Sequence, residues 1–134
     1  MAFEIPGTKY TRLSSGDMSA HQYKAVLDST TNADAGTAVV GTRGVRLSVI
    51  CQQNSTATEA GEVMLTGISK VAAGDSSGMD TAITQGSNVV CSSKGAAVPS
   101  TGAGQYLIGQ AKESLSTGST GIIAVALAIG AIST

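Results

Sequence analysis

The sequence predicts a mainly β protein, a small antiparallel β-barrel or sandwich of about seven short strands with an extended N-terminal arm. Apolar and polar residues alternate with a period of two in short segments such as Val45–Val49. Loops rich in Gly, Ser and Thr separate these segments. Since no segment shows the apolar stripe of an amphipathic helix, the alternation and the turns together favour a β fold.

The composition indicates one domain with few large side chains for its core. The 134 residues include 17 glycines, one Phe, three Tyr and no Trp, and only 13% are charged. An ordinary domain carries about 25% charged residues. Association with copies of itself or with a larger assembly would compensate for this shortage of large core side chains. The formal net charge of −1 points to neither nucleic acid nor an anionic membrane as a partner.

The first 16 residues differ from the rest and predict an arm at 1–16 in front of a β-rich domain at 17–134. Phe3 and Tyr10 lie in a segment without clear periodicity, which Pro6–Gly7 interrupts. One interpretation is a frayed terminus. The other is an arm that becomes ordered on a neighbour, with its aromatic side chains as anchors. A secretory signal is not expected, because the first residues lack a basic stretch followed by an apolar one.

The domain after the arm predicts seven strands separated by polar loops. The predicted strands are 22–28, 45–49, 62–71, 88–92, 96–98, 106–112 and 122–129, and the main polar loops are 29–36, 52–60 and 72–80. Gly67 marks a bulge or bend inside the third strand. Lys94–Gly95 is a turn, so that 88–98 forms a hairpin. The apolar run 121–130 is too short for a membrane helix, which needs about 20 residues, and is expected to be a buried strand.

No set of residues indicates catalysis, a metal or a cofactor. Gly74–Gly78 superficially resembles a serine-nucleophile loop, but that chemistry needs a histidine base and an orienting aspartate. The one histidine, His21, does not lie in such a motif. His21, Cys51 and Cys91 could supply three metal ligands, but they lack the close spacing expected for zinc. We therefore expect a protein that is not an enzyme and holds no cofactor.

The acidic residues and the cysteines have simple structural interpretations. Glu59 and Glu62 are the closest acidic pair, and we expect both to be solvated. Cys51 and Cys91 are expected to be small buried residues on strands. A disulfide between them stays open as an alternative in an oxidising compartment.

Five segments, taken in order, carry a resemblance to a known family. They are Asp17–Val26, Ala60–Val71, Ile83–Val89, Leu107–Ala111 and Ile122–Leu127. In sequence and spacing the set resembles the small capsid-cement (head decoration) proteins of tailed bacteriophages, over about residues 17 to 129.

The resemblance implies a structural protein on the outer surface of the virion. Such a protein binds the assembled head across junctions between major capsid protein subunits, commonly as a homotrimer. Its expected partners are the major capsid protein and copies of itself, with no nucleic acid and no membrane. The residues assigned to a capsid or subunit interface are Phe3, Ile5, Tyr10, Arg12 and Tyr23.

Two other classes of function stay in view. The first is another structural virion component, such as a tail, neck or fibre-associated protein. The second is a small enzyme or ligand-binding domain, which the lack of an ionisable cluster disfavours.

Overall fold

The computed structural model describes residues 2–14, 22–28, 35–37, 49–51, 60–74, 82–92 and 95–134. These residues form strands and turns, and none of them is helical. The strands, β1 to β11 in chain order, are Ile5–Pro6, Lys9–Ser14, Ala25–Asp28, Ala35–Thr37, Val49–Cys51, Ala60–Met64, Gly67–Ala73, Asn88–Cys91, Ala97–Pro99, Leu107–Ala111 and Gly121–Leu127.

The strands form two sheets, which confirms the predicted small β-barrel. The first sheet is a closed barrel in the order β2-β4-β3-β5-β6. The second has the order β1-β7-β11-β10-β8-β9, and a pairing between Ala73 and Ala97 joins β9 back to β7. Most neighbours are antiparallel, but β2 with β4 and β7 with β9 are parallel. The fold is therefore mixed, whereas the sequence predicted an antiparallel one.

A two-stranded ribbon passes from one sheet to the other. In the second sheet Ile5 pairs with Ile68 and Pro6 with Gly67. In the barrel, β2 and β6 pair from Lys9 with Met64 to Leu13 with Ala60, so the register keeps the same offset on both sides. Between the two sheets, the Leu65 N–H donates to the carbonyl of Thr8 at 2.9 Å. The Thr8 N–H donates to Thr66 Oγ1 at 2.7 Å. One antiparallel ribbon thus belongs to both sheets.

Glycines make the corner of this ribbon possible. Gly67 has φ +102°, and a Cβ on it would lie 2.5 Å from the carbonyl oxygen of Ile5. A Cβ on Gly7 would lie 2.6 Å from the carbonyl of Thr66. The two backbones approach so closely that no side chain fits between them. The predicted bend at Gly67 is confirmed, but it divides the predicted strand 62–71 into β6 and β7, which belong to different sheets.

Residues of the arm predicted at 1–16 take part in both sheets. Ile5–Pro6 and Lys9–Ser14 are strands of the second sheet and of the barrel, respectively. Poor periodicity and the Pro6–Gly7 break suggested a segment outside the domain, whereas Gly7 lies at the corner between two strands. The predicted boundary between residues 16 and 17 lies outside the described residues.

Other predicted strands agree with the structure in most places. The hairpin of β8 and β9 and the strands β10 and β11 are confirmed, and the strand predicted at 22–28 is confirmed from Ala25, after a turn at residues 22–24. β4 falls at the end of the predicted polar loop 29–36, where Ala35–Thr37 offers no apolar alternation. β5 begins at Val49, and residues 45–48 of the predicted strand lie outside the described residues.

The core is aliphatic and continuous between the two sheets. Ala25 and Ile50 of the barrel pack in one buried cluster with residues of the second sheet, among them Val71, Val89 and Val125. Backbone hydrogen bonds also cross between the two sheets. The Ala25 N–H donates to the carbonyl of Gly95, and the Ala72 N–H donates to the carbonyl of Tyr23, both at 2.9 Å. The two sheets therefore share a single core.

Candidate interaction surface

The side of the second sheet that points away from this core forms a partly exposed surface on β1, β7 and β11. Alternate residues of β7 and β11, such as Val71 and Val125, are buried in the core, and the residues between them lie on the opposite side of the sheet, where Ala124 is fully covered by its neighbours. Paired residues in antiparallel strands share a face. The register therefore places Ile5, Ile68 and Ala126 in one row and Ala72 with Ile122 in another. The outer face is defined here by Ile5, Ile68, Lys70, Ala72, Ile122 and Ala126.

Large apolar side chains are exposed on and beside the outer face. The exposed fraction is 56% for Ile5 and 49% for Ile122. Phe3, two residues before Ile5, is 43% exposed. The alanines keep the centre of the face flat, since Ala72 and Ala126 are short and half-buried. An exposed apolar surface of this kind is typical of a contact with another macromolecule.

Two lysines add positive charge to this apolar surface. Lys70 lies between Ile68 and Ala72 on β7, and its Nζ is 6.0 Å from the centre of the Tyr23 ring, a cation–π distance. Lys112 follows β10, and its Nζ donates to Gln110 Oε1 at 2.9 Å. Gln110 pairs with Ala126, so Lys112 lies along the same side of the sheet. Within the described part of the chain, neither lysine forms an ion pair with a carboxylate.

The carboxylates of Glu4, Glu62 and Glu113 are engaged elsewhere. Glu113 Oε2 accepts the N–H of Ala124 at 2.8 Å, which holds this side chain against the backbone of β11. Glu4 and Glu62 both contact Lys9, with Oε1 to Nζ distances of 2.6 and 3.2 Å. The hydrogen bond to Glu4 raises the pKa of Lys9 above 10.5, although partial burial opposes it. Lys9 on β2 is thus neutralised locally, unlike Lys70 and Lys112.

Tyr23 is held in an unusual backbone conformation beside this surface. Its φ of +62° lies in the left-handed region, which a bulky residue rarely adopts. The Tyr23 carbonyl accepts the N–H of Ala72, which fixes the residue against the edge of β7. Such strain costs on the order of 1–3 kcal/mol and persists where the surroundings impose it. The half-buried Tyr23 ring is thereby positioned near Lys70.

The five residues predicted for an interface divide into two groups. Phe3 and Ile5 belong to the segment around β1, and Tyr23 bonds to β7, so these three gather along one strand. Tyr10 and Arg12 pair through their backbones with Val63 and Gly61 in the barrel, and their side chains lie outside the described structure.

Sequence reasoning missed Lys70 and Ile122 as members of the same surface. Ile122 begins an alternation in which Ile122, Ala124 and Ala126 share one side of β11. With the register between β11 and β7, this alternation would have distinguished the outer residues of β11 from the buried ones.

Most of the residues considered for catalysis or metal binding lie outside the described part of the chain. His21, Glu59 and residues 75–78 of the loop considered as a nucleophile lie outside the described residues. Cys91 is buried on β8, as predicted, and its thiol donates to the carbonyl of Ser92 at 2.9 Å. Cys51 lies on β5, with a side chain that is not described. Among the described residues, no three His, Cys, Asp or Glu side chains cluster to hold a metal.

Among the described residues, no helix has both the length and the hydropathy required to cross a bilayer.

Comparisons with known proteins point to a shared fold. No protein-family model matches the chain, and no curated protein matches it in sequence. Among solved structures, the chain is similar to the head fiber gp8.5 N base of bacteriophage phi29, with a TM-score of 0.63 and 15% sequence identity. The superposition covers 95% of this chain and 98% of that chain. At this identity, the similarity shows that the two chains share a fold over nearly their whole length.

Proposed function

We propose that this chain is a structural protein of a bacteriophage head, bound to the outside of the assembled shell. The observation that carries the proposal is the shared fold with a head fiber base over nearly the full length of both chains. The exposed apolar outer face supports it, because a protein whose task is to bind a large assembly needs such a surface.

The specific role we propose is that of a decoration, or cement, protein. The ordered segments from Asp17 to Leu127 resemble that family, whose members bind across junctions of major capsid protein subunits. A protein that binds only the mature lattice stabilises it by mass action. Since many copies act on one shell, each contact needs to contribute only a few kcal/mol. We also propose that the chain forms a homotrimer, which sedimentation of the purified chain can test.

A second candidate is the base of a head fibre. The structural similarity to the gp8.5 N base favours this role directly, because that protein belongs to a head fibre. A fibre base also has to bind the shell, so both candidates require the same kind of docking surface. They differ in consequence, since a cement protein strengthens the shell and a fibre base holds a further structure on it.

Binding to undecorated heads tests the proposal. Purified protein is mixed with expanded, undecorated heads of the parent phage, and the bound fraction is measured by co-sedimentation. We expect saturable binding to heads and none to isolated tails. Heads that gain resistance to heat on saturation identify a cement protein, while unchanged resistance identifies a fibre base. Absence of saturable binding to heads contradicts both roles.

A further inference from the structure

We propose that the outer face docks on a protein surface of the head shell that presents carboxylates among small or apolar residues. This inference rests on the proposed function and adds to it the face that docks and the chemistry of its partner. The face consists of the six residues defined above, with Lys112 beside it and Phe3 at its edge.

Apolar contact supplies the area of the proposed interface. Ile5, Ile122 and Phe3 are each exposed by more than 40%, so docking removes a large part of their surface from water. Between them, Ala72 and Ala126 allow a partner backbone to approach closely. A protein surface fits these side chains better than a nucleic acid does, because two cations among aliphatic groups offer few contacts for phosphates.

The two lysines determine the charge of the partner. Lys70 and Lys112 have no carboxylate partner within the described part of the chain, whereas Lys9 has two. When the face is covered, an ammonium needs a compensating acid, since a buried unpaired charge is costly. A second copy packed face to face about a two-fold axis would present lysines of its own, and a three-fold contact in the proposed trimer would pair this face with a different face of the neighbour. Charge complementarity therefore favours an acidic partner over a second copy packed face to face.

The partner is expected to bind through side chains and not by adding a strand. β1 is the outer strand of this sheet, and it has only two residues. Pro6 has no N–H to donate to an added strand. Past the end of β1, the edge of β7 is also occupied, because the Ala72 N–H donates to the Tyr23 carbonyl and Ala73 pairs with Ala97 of β9. The exposed side chains are therefore the part of β1 and β7 that a partner can use.

Charge reversal on the full chain tests the inference. The dissociation constant for undecorated heads is measured for wild type, Lys70→Glu and Lys112→Glu. The control is the double variant Thr84→Glu, Ala103→Glu, which places two acids in exposed turns and changes the net charge by the same two units. Circular dichroism and thermal melting establish that each variant is folded. Lys112→Glu is the safer variant, because the Lys112 ammonium contacts only the Gln110 side chain.

We expect each lysine reversal to weaken head binding by roughly 10- to 100-fold, because it places like charges together across the interface. The control double variant should stay within about 3-fold of wild type, since charges away from an interface act only through the screened long-range field. Lys70→Gln combined with Lys112→Gln should also make binding less sensitive to salt. A folding defect alone would leave that salt dependence unchanged.

Three results would overturn the inference. If wild type binds saturably and both reversals behave like the control, this face does not dock, while the proposed function stands. If Ile5→Ser or Ile122→Ser turns an oligomer into monomers in sedimentation, the face is a contact between copies of the chain. If wild type does not bind heads at all, both the inference and the proposed function fail.

Discussion

Gly67 lies at the corner where the ribbon passes from the barrel to the second sheet. Its φ of +102° and its contact with the backbone of Ile5 leave no room for a side chain. A bend was predictable here, because a glycine inside an apolar run weakens a strand. The left-handed conformation of Tyr23 was not predictable, because only the surrounding sheets impose it on a bulky residue.

The first prediction concerns Gly67→Ala. We expect the free energy of unfolding to fall by roughly 2–4 kcal/mol, because left-handed strain adds to a clash with backbone. Gly86→Ala is the matched control, since Gly86 has φ +89° and a Cβ at this position would meet no atom within 4 Å. It should cost only about 1–2 kcal/mol, from the conformation alone. Urea denaturation measures the free energy of unfolding of both variants. Equal losses would show that the close approach of the backbones at the corner does not contribute to the cost of Gly67→Ala.

The second prediction concerns the pKa of Lys9. Glu4→Gln should lower it towards its ordinary value, because the hydrogen bond to Glu4 is the main cause of its rise. Glu62→Gln should lower it less, since this contact is 3.2 Å and not 2.6 Å. A raised lysine pKa stabilises the fold below the unfolded value near 10.5, and this contribution is lost as pH rises through the raised pKa. NMR titration of the Lys9 side chain measures the shift, and an unchanged pKa in Glu4→Gln would contradict the assignment.

At the scale of elements, the ribbon of β1–β2 and β6–β7 explains what the sequence could and could not predict. Apolar runs and turn residues predicted β3 and the strands from β8 to β11, because those strands carry buried apolar side chains. The same rules missed β2, which pairs with the distant strand β6, and β4, whose Ala35–Thr37 shows no apolar alternation. Phe3 and Ile5, which the sequence predicted for an interface, are exposed in the structure. Lys70 and Ile122 needed the register between strands.

The third prediction compares two N-terminal deletions. Removing residues 1–14 should abolish cooperative unfolding, because it removes β1 and also β2, which pairs with both β4 and β6 in the closed barrel. Removing only residues 1–4 should leave the fold intact, since it removes no strand and breaks only the ion pair of Glu4 with Lys9 among the pairs described above. Thermal melting followed by circular dichroism tests both. A cooperative melting transition in the protein without residues 1–14 would support the independent arm that the sequence predicted.

At the scale of the whole molecule, the two sheets behave as one unit. They share the ribbon and an aliphatic core to which Ile50 of the barrel and Val125 of the second sheet both belong. A continuous core of this kind would suit the proposed docking of one face on a shell. Because the core is shared, a truncation of a core side chain in one sheet should also destabilise the other sheet.

The fourth prediction tests this shared core with Ile50→Ala. Ile50 is fully buried in β5, so the truncation should cost about 2–5 kcal/mol. Because the core is continuous, hydrogen exchange should become faster in β7 and β11 as well as in the barrel. Ile122→Ala serves as the control, since Ile122 is half exposed and its loss should change stability little. Faster exchange confined to the barrel would show that the sheets unfold separately.

The most direct test of the central claim is an electron cryo-microscopy reconstruction of the parent virion, with and without this protein. We predict that density of the size and shape of the two joined sheets lies on the outside of the head, with the outer face of β1, β7 and β11 towards the shell. The density should disappear from particles that lack the protein. Density for this protein found only on the tail, or inside the head, would contradict the account.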